Sequence, residues 1–254
     1  MCTVSIIPLA GERLRLACNR DELLTRPLAL PPRSTQFGER EALLPIDPQS
    51  GGTWIAASDA GLILTLLNTR SGWPTRNVPP RSRGEIIPAM LHCSTIDEVI
   101  RRMQRIDATL FGPFRLLVVS RAGGGEIHSD GRRVTRRRWS IDKLPLMATS
   151  SSLGDELVGP PRRELFDRTI LFGDCSAESQ DAFHRHAWPD RTYLSVNMAR
   201  LDARTVSVTT IELSPDRVRM RYDDGSTRTT DELFSTARQP ADHDRVACAG
   251  DARQ

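Results

Sequence analysis

Residues 1–22 read MCTVSIIPLAGERLRLACNRDE. Thr3 to Ile7 is rich in β-branched side chains, and Leu9-Ala10-Gly11-Glu12 has the composition of a turn. Arg13 to Asn19 alternates, with Leu14, Leu16 and Cys18 on one side and Arg13, Arg15 and Ala17 on the other. This is the pattern of a β-hairpin. A two-residue turn at Ala10-Gly11 would set Leu9 opposite Glu12, so Cys2 is expected opposite Asn19, next to Arg20 and Asp21. A bulge would slip that register by one or two residues.

The position of Cys2 gives the hairpin a chemical meaning. Once Met1 is removed, Cys2 carries a thiol and a free α-amine on one residue. Their ordinary pKa values are about 8.5 and about 8, so the amine can act as base toward the thiol. A guanidinium nearby favours the thiolate, and a carboxylate nearby orients the ammonium. Spacing alone leaves two readings open: a catalytic group, or an exposed ion pair at a hairpin end.

Outward from the hairpin, Leu23 to Pro48 is proline-rich and reads as a long loop. Gly51-Gly52-Thr53-Trp54 leads into a second hairpin that turns at Asp59-Ala60-Gly61 and ends at Asn68. Trp73 to Arg83 reads as another loop. Helices are expected over Arg83 to Cys93 and after the capping-box pattern Thr95-Ile96-Asp97-Glu98. Strands are expected at Phe114 to Ser120, Glu126 to Ser129, Val134 to Trp139 and Leu144 to Thr149, with Gly123-Gly124-Gly125 as a turn. Pro160 to Phe172 and Ala177 to Ala187 read as helices. Arg191 to Val196, Ala203 to Leu213 and Val218 to Tyr222 read as closing strands. The alternation of strand groups and helix pairs predicts an α+β fold, a four-layer αββα sandwich, over a single domain at 1–234. Residues 235–254 turn polar and are expected to be a disordered tail.

The bulk composition fits a globular chain: 254 residues, 39% hydrophobic, 26% charged, with a formal charge of +3. Lys143 is the one lysine, so the positive charge is arginine. The cluster Arg132-Arg133 and Arg136-Arg137-Arg138 reads as an exposed strand face, and nucleic acid is not an expected partner. Five scattered cysteines form no CxxC pair, which points to a reducing compartment. With no signal-peptide pattern and no long apolar run, the expected location is cytoplasmic, without a membrane span. Cys175 with His184 and His186 matches no standard zinc spacing, so no metal is expected and the histidines read as surface residues.

Met1-Cys2, Asn19-Arg20-Asp21-Glu22, Gly51-Gly52-Thr53-Trp54, Leu67-Asn68 and Ser82-Arg83-Gly84 occur in this order. Together they resemble the NRDE family, also called the transport and Golgi organisation family, over residues 1 to about 222. That family is similar to the N-terminal-nucleophile cysteine amidohydrolases of conjugated bile acids and penicillin V, which also begin Met-Cys-Thr. The resemblance implies a fold of that hydrolase type, with Cys2, Arg20, Asp21 and Asn68 as catalytic residues and Asn68 in the oxyanion hole. Asn19 is a further candidate. In the amidases the arginine and aspartate are separated by two residues, whereas Arg20 and Asp21 are adjacent and so alternate across a regular strand. A second asparagine follows a threonine in the amidases; here Ser150 follows Thr149. A late arginine is also implied, either Arg200 or Arg204.

Two functions follow as expectations. One is cleavage of a linear amide or thioester through Cys2, with no cofactor. The other is a non-catalytic protein on the same fold that binds or traffics haem or an acyl-lipid. The expected partner is a small-molecule amide, thioester or lipid-like ligand.

Overall fold

The computed structural model describes residues 2–69 and 81–236. The chain opens with the hairpin β1 (Cys2–Leu9) and β2 (Arg13–Leu23). It continues through β3 (Leu30–Phe37), β4 (Arg40–Ile46), β5 (Ile55–Ser58) and β6 (Ile63–Asn68). A 3-10 turn at Arg83–Glu85 leads into α1 (Ile86–Met90), followed by α2 (Ile96–Met103). Then come β7 (Phe114–Ser120), β8 (Gly123–Ser129), β9 (Val134–Ser140) and β10 (Leu146–Ser150). Next are α3 (Asp155–Phe166) and α4 (Ala177–Arg185). The last strands are β11 (Ala203–Leu213), β12 (Arg217–Asp223) and β13 (Arg228–Phe234).

Two antiparallel sheets result, one of six strands in the order β10-β1-β2-β11-β12-β13 and one of seven running β3 to β9 in sequence. Strand alternation builds the layers. Val4, Ile6, Leu14, Leu16 and Cys18 meet Trp54, Ile63, Leu67 and Leu117 between the sheets. Leu64, Leu66, Phe114 and Val118 face α1 and α2, where Ile87, Met90 and Val99 are buried. Ile7 and Met147 face α3 and α4 through Leu165, Phe166 and Phe183. Three apolar interfaces between four layers make an αββα sandwich, each fully buried Leu, Ile or Phe contributing about 1.5–3 kcal/mol. Half of the expected α2 capping box forms: Thr95 Oγ1 accepts the Glu98 N–H at 3.2 Å, but the Glu98 carboxylate accepts the Ser94 N–H in place of that of Thr95. Among the described residues no helix is long and apolar enough to cross a membrane.

Several local expectations change. The first turn has three residues, Ala10 to Glu12, with Gly11 and Glu12 at φ of 73° and 56°. That extra residue moves the register by one, and Cys2 pairs with Arg20 rather than Asn19. The expected loop at 23–48 holds the hairpin β3–β4. Its prolines 31 and 32 sit at a register shift on β3, an edge strand, where a missing N–H is tolerated. Gly123 to Gly125 lie inside β8, not in a turn, because Trp139 packs on Gly124 where a Cβ would lie 2.0 Å from the ring. The helix expected from Pro160 begins at Asp155, whose Oδ1 accepts the Ser151 N–H at 2.8 Å. Residues 191–196 form a 3-10 turn at Thr192–Leu194 instead of a strand. The final strand, β13, was outside the expected set. Most of the loop expected at 73–83 and most of the expected tail lie outside the described residues. The first two tail residues, Ser235 and Thr236, donate backbone hydrogen bonds to Asp216 and Asp59.

Candidate active site

Cys2 starts β1, the second strand of the six-stranded sheet, with Arg20 of β2 opposite on one side and Ser150 of the edge strand β10 on the other. Directly paired residues share a face. Cys2 is 4% exposed, and the Ser150 hydroxyl is buried with no hydrogen-bond partner among the described residues. Cys18 lies two residues before Arg20, on the same face. Its S–H donates to the Asn19 carbonyl at 3.8 Å. The proximity of Cys18, with the positive chain terminus and Arg20, lowers the Cys2 pKa against the opposing effect of burial. The Cys18 thiol is pushed well above its ordinary value by its proximity to Cys2 and by burial. Of the two thiols, the surroundings favour ionisation of Cys2 over that of Cys18.

Asp21 alternates to the other face of β2. There the Thr205 hydroxyl donates to its Oδ1 at 2.6 Å. β11 carries a bulge here: Thr205 pairs with Asp21 and Ser207 with Arg20, leaving Val206 extra. Burial raises the Asp21 pKa, while Arg162, Thr205 and Arg200 act to lower it. Arg162 reaches in from α3, donating to the Thr3 and Thr149 hydroxyls at 2.7 and 2.8 Å and to the Leu194 and Ser195 carbonyls. Asn19 shares the Asp21 face but ties to α4. Its amide donates to the His184 and Val196 carbonyls, so its Oδ1 accepts from His184 Nδ1 at 2.7 Å. Ser5 then donates to His184 Nε2 at 2.7 Å. His184 is thus a buried core residue, in contrast to the surface position expected for it, and burial with the Arg15 charge lowers its pKa to about 3.

On the inter-sheet side, Cys2 opens into a cleft of about 410 Å³ whose walls include Arg20, Glu22, Trp54, Asn68 and Arg83. Arg20 is braced: Nη2 lies 3.0 Å from Asp47 Oδ2, and the guanidinium stacks 4.4 Å from the Trp54 ring centroid. Asp47 also takes Arg26 at 2.7 Å. Asn68, at the end of β6, is exposed on the cleft wall. The glycine motifs meet backbone to backbone. A Cβ on Gly52 would lie 2.5 Å from the Gly84 carbonyl, and Gly84 O accepts the Thr53 N–H at 3.0 Å. This contact holds Arg83 at the cleft. Among the described residues no three His, Cys, Asp or Glu side chains converge to hold a metal.

The structure therefore brings Cys2, Arg20 and Asn68 to one cleft, sets Ser150 beside Cys2, and places Asp21 behind the same strand end. Arg200 reaches Ser152 Oγ at 3.1 Å and acts on Asp21. Arg204 is exposed and lines a different hollow with Arg221 and Arg228. Sequence reasoning missed Cys18, Asp47, Arg83 and Arg162 as site residues. The i, i+2 relation of Cys18 to Arg20 was a usable signal; Arg162 had none, since its approach is purely tertiary.

Comparison with solved structures shows the fold. The chain is similar to the Caenorhabditis elegans ortholog of N-acylethanolamine-hydrolyzing acid amidase, with a TM-score of 0.57 and 14% identity over 83% of this chain and 92% of that one. It is also similar to two variants of conjugated bile acid hydrolase from Clostridium perfringens, each with a TM-score of 0.52 and 11% identity over 92% of both chains. The architecture is that of the N-terminal-nucleophile hydrolases. No curated protein matches the chain in sequence. The family model Transport and Golgi organisation 2 matches residues 1–154, and the chain belongs to that family.

Proposed function

We propose that the chain is an N-terminal-nucleophile amidohydrolase-like protein that cleaves a linear amide or thioester through Cys2. The observation that carries this reading is the setting of the Cys2 sulfur: at a cleft, paired across the strands with Arg20 and Ser150, with Cys18 and Arg20 acting to lower its pKa. Removal of Met1 frees the Cys2 amine. The amine accepts the thiol proton, and the thiolate attacks the substrate carbonyl carbon. Asn68 donates to the resulting oxyanion, and the unused Ser150 hydroxyl is the proposed second donor; one such donor is worth about 10²–10³ in rate. The amine then passes its proton to the leaving group, and water, deprotonated by the amine, releases the acyl group from Cys2.

Asp21 orients the ammonium, with Thr205, Arg162 and Arg200 holding its charge behind the strand. Arg20, fixed by Asp47 and Trp54, supports the thiolate. The test is turnover of an amide and thioester library by the wild type and Cys2→Ala. Hydrolysis lost in Cys2→Ala supports the reading. Hydrolysis unchanged in Cys2→Ala, or a haem Soret shift that depends on Cys2 with no turnover, sinks it.

A further inference from the structure

Four arginines line the Cys2 cleft: Arg20, Arg26, Arg81 and Arg83. Three are neutralised within the protein. Arg20 and Arg26 share Asp47 at 3.0 and 2.7 Å, with Glu22 at 3.6 and 3.7 Å. Arg81 pairs with Glu85 at 2.5 Å. Arg83 has no carboxylate within ion-pair distance among the described residues. Glu22, the acid whose charge reaches it, is already engaged by Arg20 and Arg26. Residues 70–80 contain no aspartate or glutamate.

The Arg83 guanidinium is half-buried, and burial lowers its pKa. Its Nη1 donates to the Pro113 carbonyl at 2.9 Å, which fixes the side chain. The Nε and Nη2 edge makes no hydrogen bond among the described residues. That edge is a fork suited to two parallel hydrogen bonds from one carboxylate. A desolvated cation left unpaired is costly, so a site that keeps one gains by taking an anion.

We infer that Arg83 is the anchor for a carboxylate on the substrate, and that the molecule cleaved at Cys2 carries a free acid at a set distance from its scissile carbonyl. This rests on the Cys2 reading above. The charge is set at one: Asp47, Glu22 and Glu85 balance Arg20, Arg26 and Arg81, which leaves Arg83 as one uncompensated positive charge at the cleft among the described residues.

The test separates the anchor from the nucleophile. Cys2 in the full chain is alkylated with N-iodoacetyl ω-amino acids of one to five methylenes and with their neutral carboxamides, and followed by intact mass. In parallel, the unreactive N-acetyl acids and carboxamides are titrated calorimetrically into Cys2→Ala, which has no nucleophile. At one tether length the acid is expected to alkylate Cys2 at least about tenfold faster than its carboxamide, and to bind Cys2→Ala at least about fivefold tighter. Arg83→Gln should abolish both preferences, with the acid losing at least about fivefold more rate than its carboxamide; Arg83→Lys should keep part of each. No acid preference at any length, a preference that survives Arg83→Gln, or an Arg83→Gln variant slowed equally toward both reagents overturns the anchor. Uniformly slow labelling of Cys2 by every reagent overturns the nucleophile instead, and the calorimetric preference still decides the anchor.

Discussion

Cys2 and Cys18 lie on neighbouring strands and face the same side, and each shifts the pKa of the other. With Cys18 beside it the Cys2 pKa falls, while that of Cys18, buried next to Cys2, rises. Removing the Cys18 thiol must raise the Cys2 pKa and so reduce the thiolate present near neutrality. Cys18→Ala is therefore expected to move the pH profile of Cys2 alkylation upward and slow it several-fold at pH 7. Cys18→Ser, which keeps a polar group beside Cys2, should keep most of the wild-type rate. An unchanged profile in Cys18→Ala would show that Cys18 has no part in activating Cys2. Cys2, Arg20 and Asn68 were legible in the sequence because position, spacing and motif order all bear on them. Cys18 was legible as a member of the Leu14, Leu16, Cys18 face, but an apolar-looking strand position gives no sign that its thiol lies beside Cys2. Arg162 was not legible, because nothing local links a helix 160 residues along the chain to the first hairpin.

Elements explain why the glycine motifs accompany the cysteine. The turn after β4 folds back through Gly51 at φ 68° and presses Gly52 against Gly84. A Cβ at Gly52 meets backbone, which cannot swing aside. Gly52→Ala should destabilise the fold by about 1–3 kcal/mol, as over-packing does, and displace Arg83. Urea unfolding with a midpoint unchanged from wild type would refute that packing role. The hairpin β1–β2 was legible from its alternation, but its register was not. Whether Ala10-Gly11 closes in two residues or Ala10 to Glu12 in three depends on Glu12 accepting a positive φ, which composition does not announce. The strands β3 and β4 were hidden by prolines that an edge strand accommodates and a central one would not.

At the scale of the whole molecule, the layers are held by polar ties as well as by apolar packing. Ser5, His184 and Asn19 join the six-stranded sheet to α4, next to Arg15, which is buried against Gln180 and Asp181. His184 has a folded pKa of about 3 against an ordinary 6.5, so it stays neutral in the fold. The unfolded chain takes up a proton below about pH 6.5 that the folded chain refuses. Stability from this group is therefore complete above that pH and is lost as pH falls toward 3, at up to about 1.4 kcal/mol per pH unit. Urea unfolding between pH 7 and 5 should show this slope in wild type and a flatter one in His184→Gln; equal slopes would contradict the buried neutral histidine. The αββα order was legible because strand groups and helix pairs alternate along the chain, while the burial of His184 depends on where α4 lands. The central claim, that Cys2 is an N-terminal nucleophile, is tested most directly by intact mass of the purified full chain during reaction with the amide and thioester library. The account predicts a mass without Met1 and a transient acyl adduct on Cys2 that is absent from Cys2→Ala. Retained Met1, or turnover that proceeds undiminished in Cys2→Ala, would contradict it.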